Sequence, residues 1–73
     1  MNNLTIGERI RAFREIKRWK QKDLAEATEI LAACISLYES GKAIPGTFNL
    51  IAIADALEVS LDDLVGRKVK IKK

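Results

Sequence analysis

The sequence predicts an all-α domain of about five helices. Three observations lead there. Apolar residues recur three and four positions apart through most of the chain, the spacing that lines one face of a helix. Thr5 with Glu8 and Ser60 with Asp63 place an acid three residues after a hydroxyl residue at the head of a periodic segment, the pattern that caps a helix start. Gly41 and Gly66 stand where periodic segments end, the place for a left-handed closing residue. Only the last few residues alternate in the manner of a strand.

The elements follow in order. Thr5 and Glu8 form the first capping box, so a helix starts near Ile6. Its expected inner face is Ile6, Ile10, Phe13 and Ile16, with Arg and Glu on the other side. "RWKQKDLAEA" opens a second helix near Gln21, with Leu24 and Ala25 turned inward. A third helix includes Ile35 and Tyr38 and closes at Gly41. "AIPG" reads as a loop. From Thr47 to Leu57, the residues Leu50, Ile53, Ala54 and Leu57 mark a fourth amphipathic helix. Ser60 and Asp63 make the second capping box and open a short fifth helix with Leu61 and Leu64, ended by Gly66. The expected organisation is a folded domain over 1–66 and a basic tail over 67–73.

A chain of 73 residues makes one small domain, near the lower limit for burying a self-sufficient core. Aromatic residues are few: Phe13, Trp19, Tyr38 and Phe48. The lone Cys34 cannot form an internal disulfide, which suits a reducing cytosol. Apolar runs are far too short for a membrane span, and the N-terminus lacks the layout of a signal peptide. The expectation is a cytoplasmic protein with no membrane contact.

Charge is distributed unevenly. Of the 13 basic residues, seven lie between Arg9 and Lys22 and five between Arg67 and Lys73. From Asp23 to Gly66 the only base is Lys42, against eight acids. A basic balance points to a polyanion partner, although solvated helix faces explain the first cluster equally well. Catalysis finds little support. There is no His, no Gly-rich loop followed by Lys, and no His to activate Cys34. Asp62 and Asp63 suit the start of a helix better than acid–base chemistry. No metal set and no cofactor site is expected, because the single Cys and scattered carboxylates lack ligand spacing.

The segments "IGERIRAFRE", "KQKDLAEA", "ISLYESGKAIP" and "LIAIADALEVSLDDLVG" together resemble the helix-turn-helix domain of lambda-type and Cro-type phage repressors. The resemblance covers nearly the whole chain, about 6–66. It implies a domain that binds double-stranded DNA, usually as a dimer, with helix 3 in the major groove and helix 2 above it. Carried over residue by residue, Gln21 and Lys22 at the start of helix 2 and Lys42 after helix 3 would hold phosphates. Ala32, Ala33 and Ser36 would face the bases. Arg14 would pair with Glu39 and lock helix 1 to helix 3.

This sequence departs from the family where bases are read. The reading positions are Leu31, Ala32, Ala33 and, one turn on, Leu37. Base edges are read by donors and acceptors, and these side chains offer only a methyl contact to thymine. On this face Ser36 alone keeps a hydroxyl. The turn is altered too: Glu29 holds the usual Gly position, Thr28 precedes it, and Leu31 replaces the Ser or Thr cap. Weak or altered base readout is therefore expected.

Two other uses of the segment stay open. Ala27, Leu31, Ala32, Ala33 and Leu37 could form an apolar surface for a protein partner or a second copy. Alternatively, Leu31 and Leu37 complete the core. From Gln21 to Ser40 there is also no Gly or Pro. Helices 2 and 3 could then fuse into a rod of about 20 residues, roughly 30 Å long, that exchanges halves with another chain. The intact family pattern around the segment favours a retained turn.

Overall fold

The computed structural model describes residues 4–66. The tail expected over 67–73 lies outside the described residues. Five helices follow one another: α1 (Ile6–Ile16), α2 (Gln21–Thr28), α3 (Ala32–Ser40), α4 (Thr47–Leu57) and α5 (Leu61–Val65).

Local chemistry sets their limits. At α1, the Thr5 hydroxyl accepts from the Glu8 amide at 3.1 Å and the Glu8 carboxylate accepts from the Thr5 amide at 2.9 Å. Ser60 and Asp63 repeat this reciprocal pair at α5, at 2.9 and 3.1 Å. Such pairs satisfy amides that a helix start leaves without partners. Lys20, before α2, has no acceptor atom, so only half of the device survives: Asp23 accepts from the Lys20 amide at 2.8 Å.

Helix ends use left-handed residues. Gly41 (φ 82°) lets the Lys42 amide reach back to the Leu37 carbonyl at 3.0 Å, and Gly66 (φ 77°) closes α5. Three non-glycine residues take the same region: Arg18 (φ 62°), Glu29 (φ 60°) and Glu58 (φ 60°).

The core joins all five helices. Ile10, Leu24, Ile35, Ile53 and Leu64 are fully buried, with Ile30, Tyr38, Ala54 and Leu57 around them. α1 packs on α3, α5 and α4, while α2 packs on α3 and α4. The Asn49 amide donates to the Tyr38 hydroxyl at 2.9 Å, tying α4 to α3.

The inner face of α1 corrects one expectation. Its buried members are Gly7, Ile10 and Arg14, whereas Ile16 is 73% exposed. Three- and four-residue steps from Gly7 lead through Ile10 to Arg14, and Ile16 falls well off that line. Gly7 is there because α3 comes so close. A Cβ at Gly7 would overlap the Tyr38 carbonyl oxygen and crowd Glu39.

Among the described residues, no helix is long and apolar enough to cross a membrane.

Candidate nucleic-acid interface

The turn between α2 and α3 is retained, and its chemistry is visible. Thr28 Oγ1 donates to the Leu24 carbonyl at 2.8 Å and accepts from the Ile30 amide at 3.3 Å. The hydroxyl thus serves groups that the end of α2 leaves unsatisfied. Glu29 then takes the left-handed conformation, and Ile30 drops into the core at 8% exposure. Burial of Ile30 holds Glu29 in a conformation that costs an L-residue energy in isolation. Leu31 occupies the N-cap of α3 with no side-chain cap bond, and its side chain is 74% exposed.

α3 divides sharply into two faces. Ile35 and Tyr38 are buried. Ala32, Ala33, Ser36, Leu37 and Ser40 are all exposed, in the i, i+4 rows 32–36–40 and 33–37. Leu31 and Leu37 therefore do not complete the core. Ser40 went unnoticed in the sequence, and its hydroxyl turns back to the Leu37 carbonyl at 3.1 Å. Ala27 and Lys22 are exposed on α2, and Lys42 is exposed in the loop after α3.

Behind this surface lies a polar junction of three helices. Arg14 donates to both oxygens of Glu39, from Nε at 2.7 Å and Nη2 at 2.9 Å. Its Nη1 donates to the Trp19 carbonyl at 2.7 Å. The two side chains are 10% and 4% exposed. The hydrogen bond to Glu39 holds the Arg14 guanidinium above its already high ordinary pKa, against the opposing effect of burial. Gln21 Nε2 also donates to Glu39 Oε1, at 3.1 Å. That contact changes the picture of Gln21 drawn from sequence. One amide proton is already used inside the protein, which fixes the orientation of the other. The junction sets the angle of α2 and α3 with respect to α1.

Two other basic side chains of α1 and the following loop have acidic partners of their own. Arg11 pairs with Glu15 at 3.1 Å, and Lys17 pairs with Glu58 at 3.0 Å while lying 5.1 Å from the Trp19 ring centre. An apolar cleft of about 190 Å³ between the start of α1 and the α3–α4 loop is lined by Ile6, Tyr38, Ile44 and Pro45 among others. Among the described residues, no group of three or more His, Cys, Asp or Glu side chains could hold a metal.

This arrangement is the five-helix fold of lambda-type phage repressors, with a helix-turn-helix formed by α2 and α3. The chain belongs to the helix-turn-helix family, whose model matches residues 10–64.

Relatives share its pattern at moderate identity. The cryptic phage CTXphi transcriptional repressor RstR of Vibrio cholerae is 39% identical over 64 residues, which are 88% of this chain and 57% of RstR. The HTH-type transcriptional regulator DicA of Escherichia coli is 41% identical over 58 residues, 80% of this chain and 43% of DicA. The chain thus spans about half the length of these curated relatives. Among solved structures, the P22 c2 repressor in complex with synthetic operator 9T superposes with a TM-score of 0.82 at 33% identity. That match covers 86% of this chain and 96% of the P22 chain. The DNA-binding domain of the P22 c2 repressor in solution gives the same score at 36% identity, covering 88% and 84%.

Proposed function

We propose that this domain binds double-stranded DNA through α2 and α3 and acts in transcriptional regulation as a repressor-type module. The observation that carries the reading is the outward row of α3. It is wholly exposed and held at a set angle by the Arg14–Glu39–Gln21 junction, in a fold shared with an operator-bound repressor. In this reading Lys22, Lys42 and the second amide proton of Gln21 hold phosphates, which supply position and most of the affinity. Ala32, Ala33 and Ser36 meet the bases. Two domains on a pseudo-palindrome are the expected binding unit, and work on DNA is in keeping with a cytoplasmic protein. The basic tail adds a sequence-independent contact. The test is a titration of duplex DNA at several salt concentrations, with oligomer mass measured alongside. Affinity should fall steeply as salt rises. Absence of binding at low salt would end the proposal.

One observation favours a second reading. Leu31 is 74% and Leu37 43% exposed, and together with Ala27, Ala32 and Ala33 they could meet a second copy across a two-fold axis. In that case Leu31→Gln with Leu37→Gln would convert a dimer to a monomer in the absence of DNA.

A further inference from the structure

We infer that the loop between α1 and α2 is a further DNA-binding element, in which Arg18 and Lys20 grip backbone phosphates beyond those held at the start of α2. The inference rests on the reading that α2 and α3 face DNA. Arg18, Lys20 and Lys22 stand at alternate positions, and all three are exposed. Neighbouring charges are already used: Arg11 pairs with Glu15, Arg14 with Glu39 and Lys17 with Glu58. Asp23, on the first turn of α2, accepts from the Lys20 amide at 2.8 Å. Among the described residues, Arg18, Lys20 and Lys22 pair with no carboxylate. A row of cations without internal partners suits a polyanion.

Arg18 distinguishes this row from an ordinary solvated surface. Its backbone is left-handed, at φ 62°, a conformation that glycine takes freely and an L-residue does not. The other two non-glycine residues in that region have an internal reason to be there. Glu29 precedes buried Ile30, and Glu58 holds Lys17. The Arg18 side chain makes no hydrogen bond or ion pair among the described residues. A strained position that keeps a cation with no internal use points to an external one.

The loop is also firmly placed. The Arg18 amide donates to the Glu15 carbonyl at 2.9 Å, and the Trp19 amide donates to the Arg14 carbonyl at 3.1 Å. Trp19 packs half-buried against the core, and its carbonyl accepts from Arg14 Nη1 at 2.7 Å. One guanidinium therefore fixes both the loop and, through Glu39, α3. Cations held in register with the reading helix lose little freedom on binding. The Cα atoms of Arg18 and Lys20 are at most about 7 Å apart. Phosphates of one strand follow at about 3.4 Å along the axis, so the two side chains suit separate phosphates.

The test titrates the full chain against a duplex that it recovers from a random pool, at several salt concentrations. Each phosphate contact adds about 0.9 to the slope of log affinity against log salt. Arg18→Gln with Lys20→Gln should lower the slope by about 1.8, so the wild-type advantage shrinks about tenfold between about 50 and 200 mM salt. Arg18→Gly should weaken binding and yet raise the melting temperature, since it removes the cation and the strain together. Arg18→Lys should keep the wild-type slope. Arg11→Gln, which removes a paired cation, should leave the slope unchanged. An equal change from Arg11→Gln and Arg18→Gln would mean that net charge alone acts, and would overturn the inference. An unchanged slope in the double variant would overturn it too, while DNA binding itself stood. Failure of the wild-type chain to bind any duplex at low salt would remove the inference together with the proposed function.

Discussion

Arg14 occupies a place on α1 where an apolar residue would ordinarily sit, and Glu39 makes that possible. A buried ion pair is weak evidence for net stability, because desolvation offsets much of the attraction. Breaking it is another matter, since the remaining charge is left in the core. Glu39→Ala should cost about 3–5 kcal/mol. Glu58→Ala removes a carboxylate that is 79% exposed and paired with Lys17 at the surface, so its effect should stay below about 1 kcal/mol. Denaturant titration of the two variants checks the contrast, and equal midpoints would contradict it. Arg14 adds no pH dependence near neutrality. Its folded-state pKa is raised, so its contribution is complete below the ordinary arginine value and fades only in stronger base. Gly7 is the second residue on which α1 and α3 depend. Gly7→Ala places a Cβ on the Tyr38 carbonyl and should destabilise by about 1–3 kcal/mol, seen as a lower melting temperature.

At the scale of elements, the α2–α3 turn shows how a helix-turn-helix forms without its glycine. Thr28 supplies hydrogen bonds, Ile30 supplies burial, and Glu29 carries the conformational cost. Glu29→Gly should therefore stabilise the domain by about 1 kcal/mol, the cost a side chain adds in the left-handed region. Ile30→Ala should do the opposite and cost about 2–5 kcal/mol. Thermal melts of both variants, with mass measured in parallel, test the account. If Glu29→Gly turned a dimer into a monomer, a fused and exchanged helix would be the solution state instead.

For the molecule as a whole, charge and surface divide the work. Binding energy should come from the phosphates and discrimination from a small apolar row. Each bidentate base contact is worth about 1–3 kcal/mol, and Leu and Ala can make none. A panel of operators and a scrambled duplex should accordingly differ modestly in affinity. A preference near a thousandfold for one site would contradict this. Truncation after Gly66 should leave the melting temperature nearly unchanged, because the tail offers only Val69 and Ile71 as apolar area. It should also weaken non-specific binding and flatten the salt dependence, since five positive charges are lost.

Much of this was legible in the chain itself. Capping pairs at Thr5–Glu8 and Ser60–Asp63, and glycines at 41 and 66, are local chemistry, so the starts of α1 and α5 and the ends of α3 and α5 could be read directly. The apolar character of the exposed α3 positions was equally plain, because side-chain type needs no coordinates. What tertiary structure decided depends on residues far apart in sequence. Nothing local says that Gly7 must stay bare or that Ile16 is left in solvent; the approach of α3 to α1 decides both. Gln21 looked like a phosphate ligand alone until Glu39, brought by another helix, took one of its protons. The α2–α3 segment could by its propensities have been one helix. Burial of Ile30 against the core outweighs the strain at Glu29, and that balance exists only once the other helices are in place.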